Sequence, residues 1–229
     1  VKLKRVTFRF INDPSAQVAA LLAGDIDGMP RFGAFQALAQ FKGNPKFVVE
    51  VGSTTGKGLL ALNNKKKPFD DVRVRRAITH ALDRKAFIDG AQEGLGKPIG
   101  SHFAPTDAGY LDLTRRYPHD IEKAKALLRE AGITTPLNVT LTLPPPPYAR
   151  KGGEIVAAQL AKVGINAKIE NVEWAQWLSG PFKGNFDMTI INHVEPLDYA
   201  TAYADPGYYF GYDNAAFRKR VTAIEGAVR

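Results

Sequence analysis

The run Ile191-Asn192-His193-Val194-Glu195-Pro196-Leu197-Asp198-Tyr199 gathers an imidazole, two carboxylates and a phenol in one short stretch. It follows Phe186 to Ile191 (FDMTII), which reads as a strand. In α/β sheets ligands collect beyond the carboxyl ends of strands, so position alone makes this run a candidate site. His193 offers a ring for packing and a hydrogen bond, and Glu195 a charge for a cationic group. The competing reading is a polar loop in which Glu195 is a helix-start charge. Trp177, Tyr208, Tyr209 and Tyr212 supply aromatic surface that suits either a core or a cleft wall.

Several chemistries are excluded. The chain has no cysteine, which removes disulfides, thiol nucleophiles and thiolate metal sites. Its four histidines are His80, His102, His119 and His193, and no pair has the spacing of a His-Glu-x-x-His metal site. The turn around Gly52-Ser53-Thr54-Thr55-Gly56 imitates two catalytic loops. A P-loop fails because Gly56-Lys57 is followed by Gly58 and Val51 stands where the first glycine belongs. A nucleophile elbow fails because Thr54 holds the central position. A glycine turn between strands remains. His119, beside Asp120, reads as a helix-start residue. His80 shares the polar side of its helix with Arg73 and Arg76, which suggests a surface cluster.

The elements that must position these groups alternate between strand and helix. Val6 to Ile11, Asp25 to Met29, Phe47 to Val51, Gly58 to Asn63, Leu137 to Leu143, Ile165 to Ile169 and Phe186 to Ile191 read as strands from their β-branched and aromatic content. Asp13 and Pro14 open a helix that Gly24 closes, and Ala34 to Phe41 is expected to be helical. Helices are also expected from Asp71 to Leu82, Lys85 to Ala91, after Asp120 as far as Gly132, and Ala149 to Val163. A short one carries Trp174 and Trp177. A last one sets Phe217, Val221, Ile224 and Val228 at helical intervals. Residues from about Gly94 to Tyr117 form a long loop, and Pro144 to Pro147 a stiff connector. No internal repeat is present. The alternation predicts an α/β layered domain.

At 229 residues and 45% hydrophobic content the chain can bury a real core. No apolar run reaches the roughly 18 residues that a membrane helix needs. The start, Val1-Lys2-Leu3-Lys4-Arg5, has neither an initiator Met nor a following apolar segment of the signal-peptide kind. The net charge of +8 raises the question of nucleic acid. The basic residues are scattered, and the dense run Lys65-Lys66-Lys67 falls in a loop. A solvated basic surface is the expectation, with no nucleic-acid partner.

Four stretches, in order, resemble the family 5 extracytoplasmic solute-binding proteins. The first is Ala20-Leu21-Leu22-Ala23-Gly24-Asp25-Ile26-Asp27-Gly28-Met29. The second is Leu62-Asn63, then Pro68-Phe69-Asp70-Asp71-Val72-Arg73-Val74-Arg75-Arg76-Ala77-Ile78, then Ala81-Leu82-Asp83-Arg84. The third is Ala124-Lys125-Ala126-Leu127-Leu128-Arg129-Glu130-Ala131-Gly132. The fourth covers Ala157 to Ile165, Glu173-Trp174 and Phe186-Asp187. In the second, Asp70 or Asp71 should cap the helix, and Arg73, Arg75 and Arg76 should hold the lobe together.

The resemblance implies a periplasmic-binding-protein-like fold of type II: an α/β lobe with a mixed sheet flanked by helices. It implies that residues 1–229 form one lobe, the C-terminal one, of a two-lobe protein whose N-terminal lobe and closing segment are not in this sequence. Val1 would stand near the first strand of that lobe. The implied function is capture of peptides or similar small solutes in the cleft between lobes, for an ABC permease, by a monomer in the periplasm or anchored outside the cytoplasm. No cofactor, metal or catalytic residue is implied. The alternatives are a lobe of a hydrolase whose catalytic residues lie in the part not in this sequence, and a basic nucleic-acid binder. In this family an aromatic next to the candidate loop packs on solute, and in peptide binders an aspartate can pair with the peptide ammonium. Anchored on Asp198-Tyr199, the family aromatic falls at Glu195, so His193 is the nearest ring. The candidate ligand-binding residues are therefore His193, Glu195, Asp198, Trp177 and Tyr209, and the loop Gly100 to Pro105 is a further candidate to reach the cleft.

Overall fold

The computed structural model describes residues 2–227. The chain divides into two compact units, Val1–Gly52 and Ser53–Arg229; the lobe expected over 1–229 spans both. Val1 itself and the helical position expected for Val228 lie outside the described residues.

In the first unit, helix α1 (Pro14–Ala23) forms as its signals dictate. Asp13 accepts from the Ala16 amide at 2.7 Å, Pro14 opens the helix, and Gly24 ends it in the left-handed conformation at φ 76°. The buried Gln17 amide donates to the Ile11 carbonyl and accepts from the Gly33 N–H, both at 2.9 Å. Phe35–Gln40 winds as a 3-10 helix. The three strands expected in this unit are absent: Val6 to Ile11, Asp25 to Met29 and Phe47 to Val51 are irregular. Their β-rich composition is real, but a strand exists only with a ladder partner, and none is available among the described residues of this unit. Phe8 and Phe10 are accordingly 81% and 94% exposed.

The second unit is a mixed four-stranded sheet covered on both faces. Strands β1 (Lys57–Leu62), β2 (Leu137–Leu143), β3 (Ile165–Asn171) and β4 (Met188–His193) lie in the order β1-β4-β2-β3. β2 runs parallel to β3 and β4, and β1 runs antiparallel to β4. Side chains alternate across the sheet. Leu60, Leu62, Met188 and Ile190 face one cluster, together with Leu141, Val74, Leu128 and Leu160. Leu59, Ala61 and Ile191 face another, built from Trp177, Phe186, Tyr209 and Phe210.

Helices α2 (Val72–Ala81), α3 (Arg84–Gln92), α4 (Ile121–Glu130) and α5 (Pro147–Ala161) cover the first face, with α2 packed on α4 and α5 on the sheet. Asp71, Asp83 and Asp120 cap the first three by accepting amides at 2.7, 3.0 and 2.8 Å. α5 starts at Pro147, inside the expected proline connector, because proline suits the first helical turn. Two expectations for α2 are corrected. His80 is buried, its Nδ1 2.8 Å from the Pro118 carbonyl, because the chain entering α4 folds back over that side of the helix. Arg76 is exposed and its side chain makes no hydrogen bond among the described residues, whereas Arg75 reaches back to the Phe69 and Asp70 carbonyls at 2.7 and 3.1 Å. Arg73 binds Asp71 and the Glu130 carbonyl that ends α4.

On the other face lie α6 (Trp174–Ser179), a turn of π-helix at Tyr199–Tyr203, and α7 (Ala215–Glu225). The loop from Gly94 to Tyr117 contains only a 3-10 turn at Thr114–Arg116. It is pinned where Gly100 meets Leu113: a Cβ at Gly100 would lie 2.2 Å from the Leu113 carbonyl carbon.

Candidate functional site

β4 reaches His193, two residues beyond the Ile191 end expected from sequence. His193 is thus the last strand residue, not a loop residue, and its ring takes the same face as Thr189 and Ile191. Across the antiparallel pair its register partner is Lys57, the first residue of β1. Both side chains enter the aromatic cluster and both are buried.

A network closes around them. The Lys57 Nζ donates to the Glu195 carbonyl at 2.7 Å and lies 3.4 Å from Asp198 Oδ1. That second contact is ionic only, since Asp198 Oδ1 has no aligned hydrogen-bond donor. Asp198 Oδ2 is 3.4 Å from His193 Nδ1, and His193 Nε2 is 3.0 Å from the Tyr209 hydroxyl. A carboxylate only accepts, which puts the imidazole proton on Nδ1 and leaves Nε2 to accept from Tyr209. Burial pushes the His193 pKa below the usual range, against the opposing pull of Asp198. Burial also raises the Tyr209 and Tyr203 phenols far above theirs, so neither is primed as a nucleophile or base.

Glu195 differs from these groups in exposure: it is exposed, and among the described residues its carboxylate accepts only the Val194 amide, at 3.1 Å. The loop carrying it is anchored by Thr55, whose hydroxyl donates to the Val194 carbonyl at 2.8 Å, and by Lys57. Leu197, at φ 55°, takes the left-handed region to turn the chain back so that Asp198 points inward. Glu195 precedes the helical turn that begins at Tyr199, so it is a loop residue.

His193, Asp198 and Tyr209 come together, with Glu195 above them. Trp177 is buried behind Tyr209, its ring centroid 6.0 Å away, and its indole N–H donates to the Thr189 hydroxyl at 2.9 Å. The loop at Gly100 to Pro105 brings in His102, whose ring lies 4.7 Å from that of Tyr203. The His102 Nε2 is buried without a partner, and burial lowers its pKa. Lys57 was not among the candidates read from sequence. Its only local signal is that it shares alternation with Leu59 and Ala61, which is informative once their face is known to be buried.

One nitrogen of His193 and carboxylate oxygens of Glu195 and Asp198 lie within 4.8 Å of one another, a spacing that could hold a metal ion. The ammonium of Lys57 beside Asp198 already supplies a positive charge there and opposes a divalent ion.

The model of the bacterial extracellular solute-binding proteins, family 5, matches residues 1–216. Over 126 residues the chain is 41% identical to the dipeptide-binding protein of Escherichia coli, covering 53% of this chain and 24% of that protein. Over 180 residues it is 32% identical to heme-binding protein A of Haemophilus influenzae, covering 76% of this chain and 33% of that protein. The ABC transporter-associated periplasmic binding protein DppA of Helicobacter pylori, solved in complex with the peptide STSA, superposes with a TM-score of 0.87 at 28% identity, covering 96% of this chain and 45% of that one. The chain therefore spans less than half the length of these relatives. The mixed sheet flanked by helices is the fold of a type II periplasmic binding protein. A family model that covers nearly the whole chain, together with that fold, shows that the chain belongs to the family 5 bacterial extracellular solute-binding proteins.

Proposed function

We propose that residues 1–229 form one lobe of a two-lobe protein that captures short peptides, or solutes resembling them, and hands them to an ABC permease. Capture is reversible and no bond is made or broken. The protein acts as a monomer outside the cytoplasm, in the periplasm or anchored at the cell surface, and has no nucleic-acid partner. The observation that carries the reading is the exposed Glu195 carboxylate at the carboxyl end of β4, held over a buried floor of Lys57, His193, Asp198 and Tyr209. Glu195 receives a cationic group of the solute, the floor keeps it in place, and Trp177 supports the floor from behind. Relatives named for dipeptides and one solved with a bound peptide support the solute class.

The test is native mass spectrometry of the full-length protein purified without refolding, followed by calorimetry with trialanine. A retained peptide mass and saturable binding are expected. Cleavage of the added peptide, or no binding of any short peptide, would overturn the reading.

A further inference from the structure

We propose that Lys57 determines the specificity of this site: its buried ammonium fills the cation seat of Asp198, so a cationic group of the solute is received by Glu195 alone. The inference rests on the solute-site reading above.

Charge and burial carry it. Asp198 is 4% exposed and sits just past a strand end, where a buried carboxylate would attract a solute cation. That attraction is already spent within the chain. The Lys57 side chain is fully buried, and its ammonium faces Asp198 Oδ1 at 3.4 Å while bonded to the Glu195 carbonyl. The other Asp198 oxygen faces the His193 ring, whose second nitrogen is held by Tyr209. Two carboxylates thus stand against one internal ammonium, and the unbalanced negative charge falls on Glu195, the exposed member. A second cation brought to Asp198 would meet the Lys57 ammonium in a poorly screened setting. One brought to Glu195 meets an exposed, solvent-screened carboxylate that pairs with no ammonium and, among the described residues, accepts only a neighbouring amide.

The test has two arms, both on the full-length protein. In the first, Lys57→Ala empties the seat and thermal melts are recorded with methylammonium chloride against equal sodium chloride. Methylammonium should raise the melting temperature of Lys57→Ala by several degrees more than that of the parent or of the Lys57→Ala/Asp198→Asn double variant, in both of which only the exposed Glu195 is open to it. A folded Lys57→Ala variant that methylammonium does not stabilise overturns the proposal. The second arm uses the isosteric Lys57→Met and compares trialanine with N-acetyl-trialanine by calorimetry. Uncovering Asp198 should raise the preference for the free amine about tenfold, and adding Asp198→Asn should return it to the parent value. An unchanged preference in folded Lys57→Met overturns the proposal. If the parent binds neither peptide, the peptide reading falls and the methylammonium arm still decides the role of Lys57.

Discussion

Lys57 and His193 are register partners at the open end of the β1–β4 pair, the first residue of one strand opposite the last of the other. Their side chains share a face, so one aspartate, Asp198, can contact both after the chain has turned through Pro196 and Leu197. This pairing makes the floor beneath Glu195 a tied structure, and variants should separate groups that meet solute from groups that hold the floor.

Glu195→Gln should weaken binding of a free-amine peptide about tenfold or more, the loss expected when a charge-assisted hydrogen bond becomes neutral. Because Glu195 is exposed and its carboxylate, among the described residues, bonds only its neighbour's amide, the melting temperature should stay within about 1 °C, as for surface changes generally. Calorimetry beside a thermal melt reads both. Unchanged affinity would remove Glu195 from the site.

Acidification should destabilise the protein through His193 and His102. Burial holds both pKa values below the usual histidine value of about 6.5. Below about 6.5 the unfolded chain gains protons that the folded chain refuses, so stability present at neutral pH is lost as the pH falls toward the folded values. Around His193, Lys57 acts in the same direction as burial, while Asp198 and Glu195 oppose it. Melts recorded from about pH 7.5 down to about pH 5 should show a falling midpoint, and His193→Gln should flatten the slope. An unaltered slope would mean that His193 does not titrate in this window.

Arg75→Ala should cost about 1.5–3 kcal/mol, because it removes charge-assisted bonds to the Phe69 and Asp70 carbonyls that hold the entry to α2. At this chain length each kcal/mol lowers the midpoint by about 2–4 °C. Arg76→Ala, at an exposed position whose side chain makes no hydrogen bond among the described residues, should change stability by no more than about 0.5 kcal/mol. Equal effects from the two would contradict this assignment.

Trp177→Phe should lower stability by about 1–3 kcal/mol, since it leaves the fully buried Thr189 hydroxyl without its indole partner. Chemical denaturation measures this directly. A loss of peptide affinity with stability intact would instead put the Trp177 ring on the solute.

Much of the second unit was legible in the sequence because its signals are local. Asp71, Asp83 and Asp120 cap the helices they precede, and Leu137 to Leu143 is a strand at the expected bounds. A cap needs only an amide three or fewer residues away, and a strand's alternation is visible along its own length. The family was legible for a related reason: runs such as Leu62 to Arg84 encode a strand end, a cap and an amphipathic helix within a short stretch.

Tertiary structure alone decided the rest. Val6 to Ile11 has the composition of a strand, but composition supplies no ladder partner. His80 occupies the polar side of α2 and is buried all the same, because Pro118 arrives from a distant part of the chain. The site turns on the same distinction. His193, Glu195 and Asp198 are near one another in sequence, so they could be named together. Lys57 is separated from them by most of the sheet's connections, and only the antiparallel pairing of β1 with β4 brings its ammonium to Asp198. The sequence determined which charged groups this protein carries around the end of β4; the register of two strands decided that one carboxylate is neutralised within the chain and the other is left exposed, because a charge is balanced by what lies near it in space.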